Sequence, residues 1–316
     1  MLVNCRNSFI LLTIYLTPNN RITMRYFKTV ILIVYLSTLA SVSGLYSQTN
    51  VKIVDAISDS QDSIIFNEII QWWKLQNIDS KRHQDNIDFV AKYLLNTPYV
   101  EKTLEVGEQE QLVVNLREMD CVTYVENVLA ITATLKKTSP YWNDFKNSLL
   151  KIRYRDGKIV DYSSRLHYTT DWLQEKVENG SLILVSDYLG SKEMDTKVSF
   201  MTKNSHLYPQ LKDNNSLISK MQIIENKISS YSMKYIDKEE IETVESFIKD
   251  GDIIGFVSSV KGLDISHVGF ASIKNSRVFL LHASPLTKQV SITDVPLADY
   301  LEKNSSVLGI VVGRVQ

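Results

Sequence analysis

The stretch "NLREMDCVTYVENVLAIT", Asn115 to Thr132, decides how the chain is read. After Cys121, the residues Val125, Val128, Leu129 and Thr132 recur at three- and four-residue steps and share one helical face with it, so that face turns toward protein. Asp120 has the short carboxylate that accepts from the free N–H groups of a first helical turn, and it is the expected N-cap. Cys121 then sits where unpaired N–H groups and the positive end of the helix dipole favour a thiolate. The thiolate is the nucleophile of cysteine chemistry, and this placement is expected to lower the thiol's pKa. The competing reading is a small buried hydrophobe, as most free cysteines are.

Outside this stretch the chain holds one other cysteine, Cys5. The segment "MRYFKTVILIVYLSTLASVSG" from Met24 carries Arg25 and Lys28, an apolar run from Thr29 to Leu39, and small residues Ser41 and Ser43 spaced for a signal peptidase. It predicts translation from Met24, with residues 1–23 upstream of the true start, and a secretory signal over 24–47. An uncleaved N-terminal anchor is the alternative. The earlier apolar run, Phe9 to Leu16, is too short to cross a bilayer. The mature protein is therefore expected in the periplasm or outside the cell, without stable membrane insertion. It would hold Cys121 alone, and a solitary thiol in an oxidising compartment is either buried or used.

With 316 residues, 44% hydrophobic and 22% charged, the chain has material for a sizeable core and falls in the globular range. The formal charge of −1 and the lack of a basic stripe exclude nucleic acid as a partner. Two helices are expected between Ser58 and Leu95, before Pro98. Another is expected at Tyr141 to Leu150, then a hairpin in "KIRYRDGKIVDYSSR" turning at Asp156-Gly157, and a helix in "HYTTDWLQEKVENG" closed by Gly180. The residues from Leu182 to Lys238 show no clear period. Four short β-branched runs, "GDIIGFVSS", "HVGFASI", "RVFLLHAS" and "GIVVGRV", end the chain as strands. Helices first and an antiparallel sheet last make the fold class α+β.

A nucleophilic cysteine needs a base, and of the five histidines His267 and His282 stand out. If Asn275-Ser276 is a two-residue hairpin turn, Lys274 faces Arg277, Gly269 faces His282, and His267 lies diagonal to His282 on one face. A second imidazole can fix the tautomer and ring angle of the first. A slip of one residue would put the rings on opposite faces. Small residues at Gly269, Ala271 and Ala283 leave space around them. No HExxH or CxxC spacing is present, so no metal site is expected.

Taken in order, "DCVTYVENVLA", "SRLHYTTDW", "GDIIGFV", "GLDISHVGFA" and "LLHASP" resemble the DUF1460 branch of the NlpC/P60 cysteine hydrolases, from roughly Ile69 to Arg314. The resemblance implies a papain-like core with the nucleophile helix packed on a five- or six-stranded antiparallel sheet. It implies Cys121 as nucleophile, His267 as base and His282 as orienting residue, without metal or organic cofactor. It also implies an N-acetylmuramoyl-L-alanine amidase acting on peptidoglycan fragments, (anhydro)muropeptides among them. Compact NlpC/P60 domains keep nucleophile and base much closer in sequence. The single domain 48–316 is therefore expected to have core segments 99–136 and 250–316 around an insertion of about 140–245, behind N-terminal helices.

Within the insertion, Arg165 could grip a stem-peptide carboxylate, and His167, Tyr168 and Trp172 could lie against the substrate. The alternative for these four is a surface arginine and core aromatics. Tyr99, Ser266 and Asp120 are further substrate-binding candidates, although capping already explains Asp120. Two other functions stay open: a γ-D-glutamyl-diamino acid endopeptidase, and a non-catalytic wall-binding protein.

Overall fold

Helices lead and strands close the chain in the computed structural model, which describes residues 55–76, 78–79 and 82–316. The expected start at Met24, the export signal and Cys5 lie outside the described residues. Two helices, α1 (Ser60–Gln76) and α2 (His83–Tyr93), precede the cysteine helix α3 (Cys121–Leu135) and its neighbour α4 (Trp142–Arg153). Next come α5 (Thr169–Glu178), β1 (Leu182–Leu184), α6 (Ser186–Leu189), β2 (Lys192–Glu193), α7 (Phe200–Lys203), α8 (Asn215–Ile228), β3 (Lys234–Asp237) and α9 (Ile241–Val244). The C-terminal part runs β4 (Ile253–Ser258), β5 (Ile265–Lys274), β6 (Arg277–Ser284), β7 (Gln289–Ile292), α10 (Leu297–Glu302) and β8 (Val307–Val315).

The strands form one antiparallel sheet in the order β2-β3-β8-β4-β5-β6-β7, and β1 pairs with the last residues of β8. Eight strands exceed the five or six that the resemblance implied. The surplus is β1, β2 and β3, which lie within the segment expected to be an insertion and extend the sheet at its β8 side. Strands of residues 182–237 and 253–315 thus share one hydrogen-bonded sheet.

Alternation along the strands builds two cores. Val257, Val268, Phe270, Leu281 and Val311 pack with Tyr124, Val125 and Val128 of α3. Ile254, Phe256, Ala271, Leu280 and Ile310 pack on the other face with Leu297 and Leu301 of α10. Edge-on contact of Tyr124 with Phe270, centroids 5.8 Å apart, seats the cysteine helix on the sheet. α3 is buried on nearly every side, Glu126 and Asn127 included, so its single-faced periodicity understates its burial. A third cluster, with Tyr162, Tyr168, Met201, Leu211, Met221 and Ile228, belongs to the insertion.

The hairpin expected over 151–165 does not form. α4 continues to Arg153, because Phe145, Leu149 and Arg153 are buried at helical spacing. Asp156 and Gly157 do turn the chain, at φ 53° and 62°, but a single bridge, Tyr154 to Arg165, follows the turn. The helix at 169–178 and the positive φ of Gly180 (74°) match the reading of that segment.

Candidate active site

The entry to α3 is a capping box. Asp120 Oδ1 accepts from Thr123 N–H at 2.8 Å and from the Thr123 hydroxyl at 2.7 Å, and that hydroxyl accepts from Asp120 N–H at 2.9 Å. The cap fixes Cys121 as the first helical residue, partly exposed. Its sulfur meets three backbone N–H groups: its own, that of Val122, and that of Val268 on β5. Helix start and strand therefore converge on the sulfur.

Beside Val268 stands His267. The β5–β6 hairpin turns at Asn275 and Ser276, φ 52° and 61°, and pairs Lys274 with Arg277, the register expected from the sequence. Positive φ at both positions matches the strand twist of a two-residue turn. His267 and His282 consequently share a face, with Nε2 of His267 at 2.6 Å from Nδ1 of His282 and the rings perpendicular. The hairpin needs glycine at 269: a Cβ there would lie 2.9 Å from His282 Cβ and 2.8 Å from Leu281 O. Phe256 flanks His267 and Tyr300 flanks His282. Side chains of β5 alternate, so Val268 lies under α3 while His267 and His282 emerge on the opposite face with Phe256. Cys121 accordingly meets the strand at its backbone.

The electrostatics reverse one expectation. Burial pushes the Cys121 thiol up to about 12, and the adjacent Asp120 carboxylate adds to the rise; the three N–H groups oppose it and lose. Helix-end stabilisation is real but too small against desolvation. Burial holds His267 down to about 3, with help from His282, and burial holds His282 to about 4. At neutral pH the resting set is a thiol and two neutral imidazoles.

The insertion residues meet other fates. The Arg165 guanidinium is bound by Glu110 through Nε (2.9 Å) and Nη2 (2.7 Å) and by Glu105 through Nη1 (2.8 Å), so the expected grip on a substrate carboxylate gives way to a buried internal ion pair. The Tyr168 hydroxyl donates to Glu225 and accepts from Met201 N–H inside the insertion core, which removes it from a substrate surface. Trp172 is buried, donates to Ile152 O, and lines a small cleft with Val122 and Val268. His167 lies against Tyr162, its Nε2 at 2.8 Å from Tyr162 O; it lines a small cleft with Val122, Val125 and Val268, and burial lowers its pKa to about 3.

Tyr99 stays at the site: Cys121, Asp120 and Glu101 all raise its phenol, behind burial as the largest cause. Ser266 is exposed next to His267, at an irregularity in the β4–β5 ladder. Sequence reading missed the Val268 N–H, which no side-chain motif signals. It also missed two buried carboxylates near the site, Glu126 paired with Arg153 at 2.7 Å and Asp264 accepting Thr170 N–H at 2.7 Å. Among the described residues no group of three or more His, Cys, Asp or Glu side chains converges as metal ligands would.

Residues 89–310 match the family model AmiA-like, described as N-acetylmuramoyl-L-alanine amidase-like. A crystal structure of an N-acetylmuramoyl-L-alanine amidase from Bacteroides uniformis is 37% identical, with TM-score 0.71, covering 74% of this chain and 99% of that one. A putative xylanase from Bacteroides fragilis is 34% identical, with TM-score 0.68, covering 72% of this chain and 99% of that one. A Legionella pneumophila protein of the DUF1460 family model, 21% identical with TM-score 0.60 over 81% and 94% of the two chains, shares the fold. Comparison with curated proteins gave no match. With the family model spanning both the cysteine helix and the histidine hairpin, the chain belongs to the N-acetylmuramoyl-L-alanine amidase-like family.

Proposed function

We propose that the chain is an exported cysteine amidase of the NlpC/P60 type that cuts the amide between the lactyl group of muramic acid and L-alanine in (anhydro)muropeptides. The observation that carries this reading is the 2.6 Å bond between His267 and His282 beside the strand residue whose N–H meets the Cys121 sulfur. That bond uses Nε2 of His267 and leaves Nδ1 without a hydrogen-bond partner among the described residues. For Nδ1 to take a proton, Nε2 must already carry one and donate it to Nδ1 of His282, which fixes both tautomers.

The His267 ring leaves β5 on the face away from α3, so this step requires it to reach the sulfur past the backbone of Val268; because thiol and imidazole are both neutral at rest, the proton then moves from sulfur to His267 Nδ1 as the sulfur attacks the carbonyl carbon. The backbone N–H of Cys121, at the start of α3, can hold the oxyanion. The carbon–nitrogen bond then breaks, and the His267 proton goes to the leaving amine of L-alanine. Water adds to the thioester, His267 takes its proton, and the lactyl carboxylate leaves with the thiol restored. The amidase name of the Bacteroides uniformis relative supports the choice of bond. A glycosidase, as the Bacteroides fragilis name implies for that protein, needs a free carboxylate pair. Here Asp120 is committed to its cap and Glu126 to Arg153.

The test is incubation with defined anhydromuropeptides and mass spectrometry of the products. The expected result is an intact peptide freed from the sugar by the wild type and none by C121A. Cleavage after D-glutamate instead would mark an endopeptidase, and a C121A protein that still cuts would end the mechanism.

A further inference from the structure

Around the cysteine cleft the obvious cations are neutralised internally, Arg153 by Glu126 and Arg165 by Glu105 and Glu110. Lys288 is different. It is exposed, and no carboxylate of the described residues lies within ion-pair distance of it. Backbone hydrogen bonds fix where it stands. The segment 96–100 runs between Met119 and the β6–β7 turn. On one side Val100 N–H donates to Met119 O (3.1 Å) and Met119 N–H to Pro98 O (3.0 Å). On the other, Tyr99 N–H donates to Lys288 O (2.9 Å) and Val290 N–H to Thr97 O (2.8 Å). Two interstrand steps, about 10 Å, therefore separate the backbone of Lys288 from that of Met119, two residues before Cys121.

The side chain is aimed as well. Lys288 Nζ lies 5.7 Å from the centroid of the Tyr99 ring, and its backbone turns at φ 58°. A cation over an aromatic face keeps a preferred direction without losing its charge. Glu101, which accepts from the Tyr99 hydroxyl at 3.4 Å, and Asp120, whose charge raises the same phenol, put negative charge around that hydroxyl. An anion approaching the cleft meets its attractive pole at the β6–β7 turn.

We infer that Lys288 binds a free carboxylate of the stem peptide, so that the site prefers muropeptides whose carboxylate is not amidated. The inference rests on the muropeptide reading above and names the side chain that takes over the role expected of Arg165.

Calorimetry on the C121A chain tests it without turnover, with the γ-methylamide of muramoyl-L-alanyl-D-glutamate and the same compound amidated at its α-carboxyl as probes, so that the amide carries no carboxylate. The carboxylate should bind about two- to fivefold tighter than the amide at low salt, the range of an exposed ion pair, and the preference should shrink as salt is raised. K288R should keep the preference and K288Q should abolish it. Equal affinities in the C121A chain, a preference that survives K288Q, or no binding of either probe would overturn the inference. The wider reading fails separately, if wild-type protein frees no peptide from sugar.

Discussion

The cysteine cleft and the insertion both contain cations, tyrosine and carboxylates, and use them in opposite ways. In the insertion the arginine and the tyrosine that the sequence singles out are closed off. Arg165 is held by two glutamates, and Tyr168 stands between Glu225 and Met201. In the cleft, valences stay open: Nδ1 of His267 has no partner among the described residues, the thiol takes its hydrogen bonds from backbone donors, and Lys288 rests on a ring. Chemistry requires a group that can change partners. A motif shows residue type, and only the fold shows whether a residue is free to act.

The comparison breaks most visibly at the histidines. H267A should lower kcat/KM by about 10²- to 10⁴-fold, the usual range for a lost general base. H282A should lower it less, because the base survives and only its tautomer and ring angle are freed. H282N should recover part of the loss, since an amide oxygen can accept from His267 Nε2. Steady-state kinetics on one muropeptide measures all three, and an H282A protein slower than H267A would reverse the assigned roles.

Arg165 tests the other region. Removing one partner from a buried ion pair leaves uncompensated charge and typically costs about 3–5 kcal/mol. R165M should show that loss in urea unfolding, since Glu110 is buried with it. The ratio of KM values for carboxylate and amidated substrates should stay unchanged. A shift in that ratio would return Arg165 to the substrate.

These contrasts were unevenly legible in the sequence. The hairpin register followed from Asn275-Ser276 and strand alternation, so the His267–His282 contact could be derived locally. Asp120 and Thr123 lie three residues apart, and their cap was readable for the same reason. Arg165 was not, because its partners Glu105 and Glu110 lie 60 and 55 residues away. The pKa of Cys121 was misread because helix-end stabilisation is a local property and desolvation is a global one. Ile152 and Arg153 looked like strand because the burial of Arg153 against Glu126 of α3, invisible locally, extends α4 by about a turn.

The pH profile sharpens the contrast further. A base of ordinary imidazole pKa near 6.5 would lose about thirtyfold in kcat/KM between pH 8 and pH 5. His267, held to about 3, should lose less than about twofold. Stability runs the other way. His167, His267 and His282 are depressed in the fold and ordinary when unfolded, so the unfolded chain binds more protons below about 6.5. Their contribution is fully present above that pH and is lost as pH falls toward 4 or 3. Thermal melts across pH 8 to 4 should show a falling Tm, while initial rates at a temperature below the lowest Tm stay flat to pH 5.

The smallest effect separates two jobs held by Asp120. Its carboxylate caps α3 and its charge raises the Cys121 thiol. D120A removes both and should cost about 1 kcal/mol of stability, the usual value of an N-cap. D120N keeps an acceptor oxygen for Thr123 N–H, so its stability should fall within a few tenths of a kcal/mol of wild type. With the anion gone, the thiolate becomes easier to form, and the pH midpoint of iodoacetamide labelling at Cys121 should drop in D120N and D120A alike. Burial still dominates the thiol, so the midpoint should stay above that of a free cysteine, near 8.5. If D120N leaves the midpoint where it was, charge at the helix entry is irrelevant to the sulfur, and desolvation with the backbone donors of Cys121, Val122 and Val268 is the whole of its control.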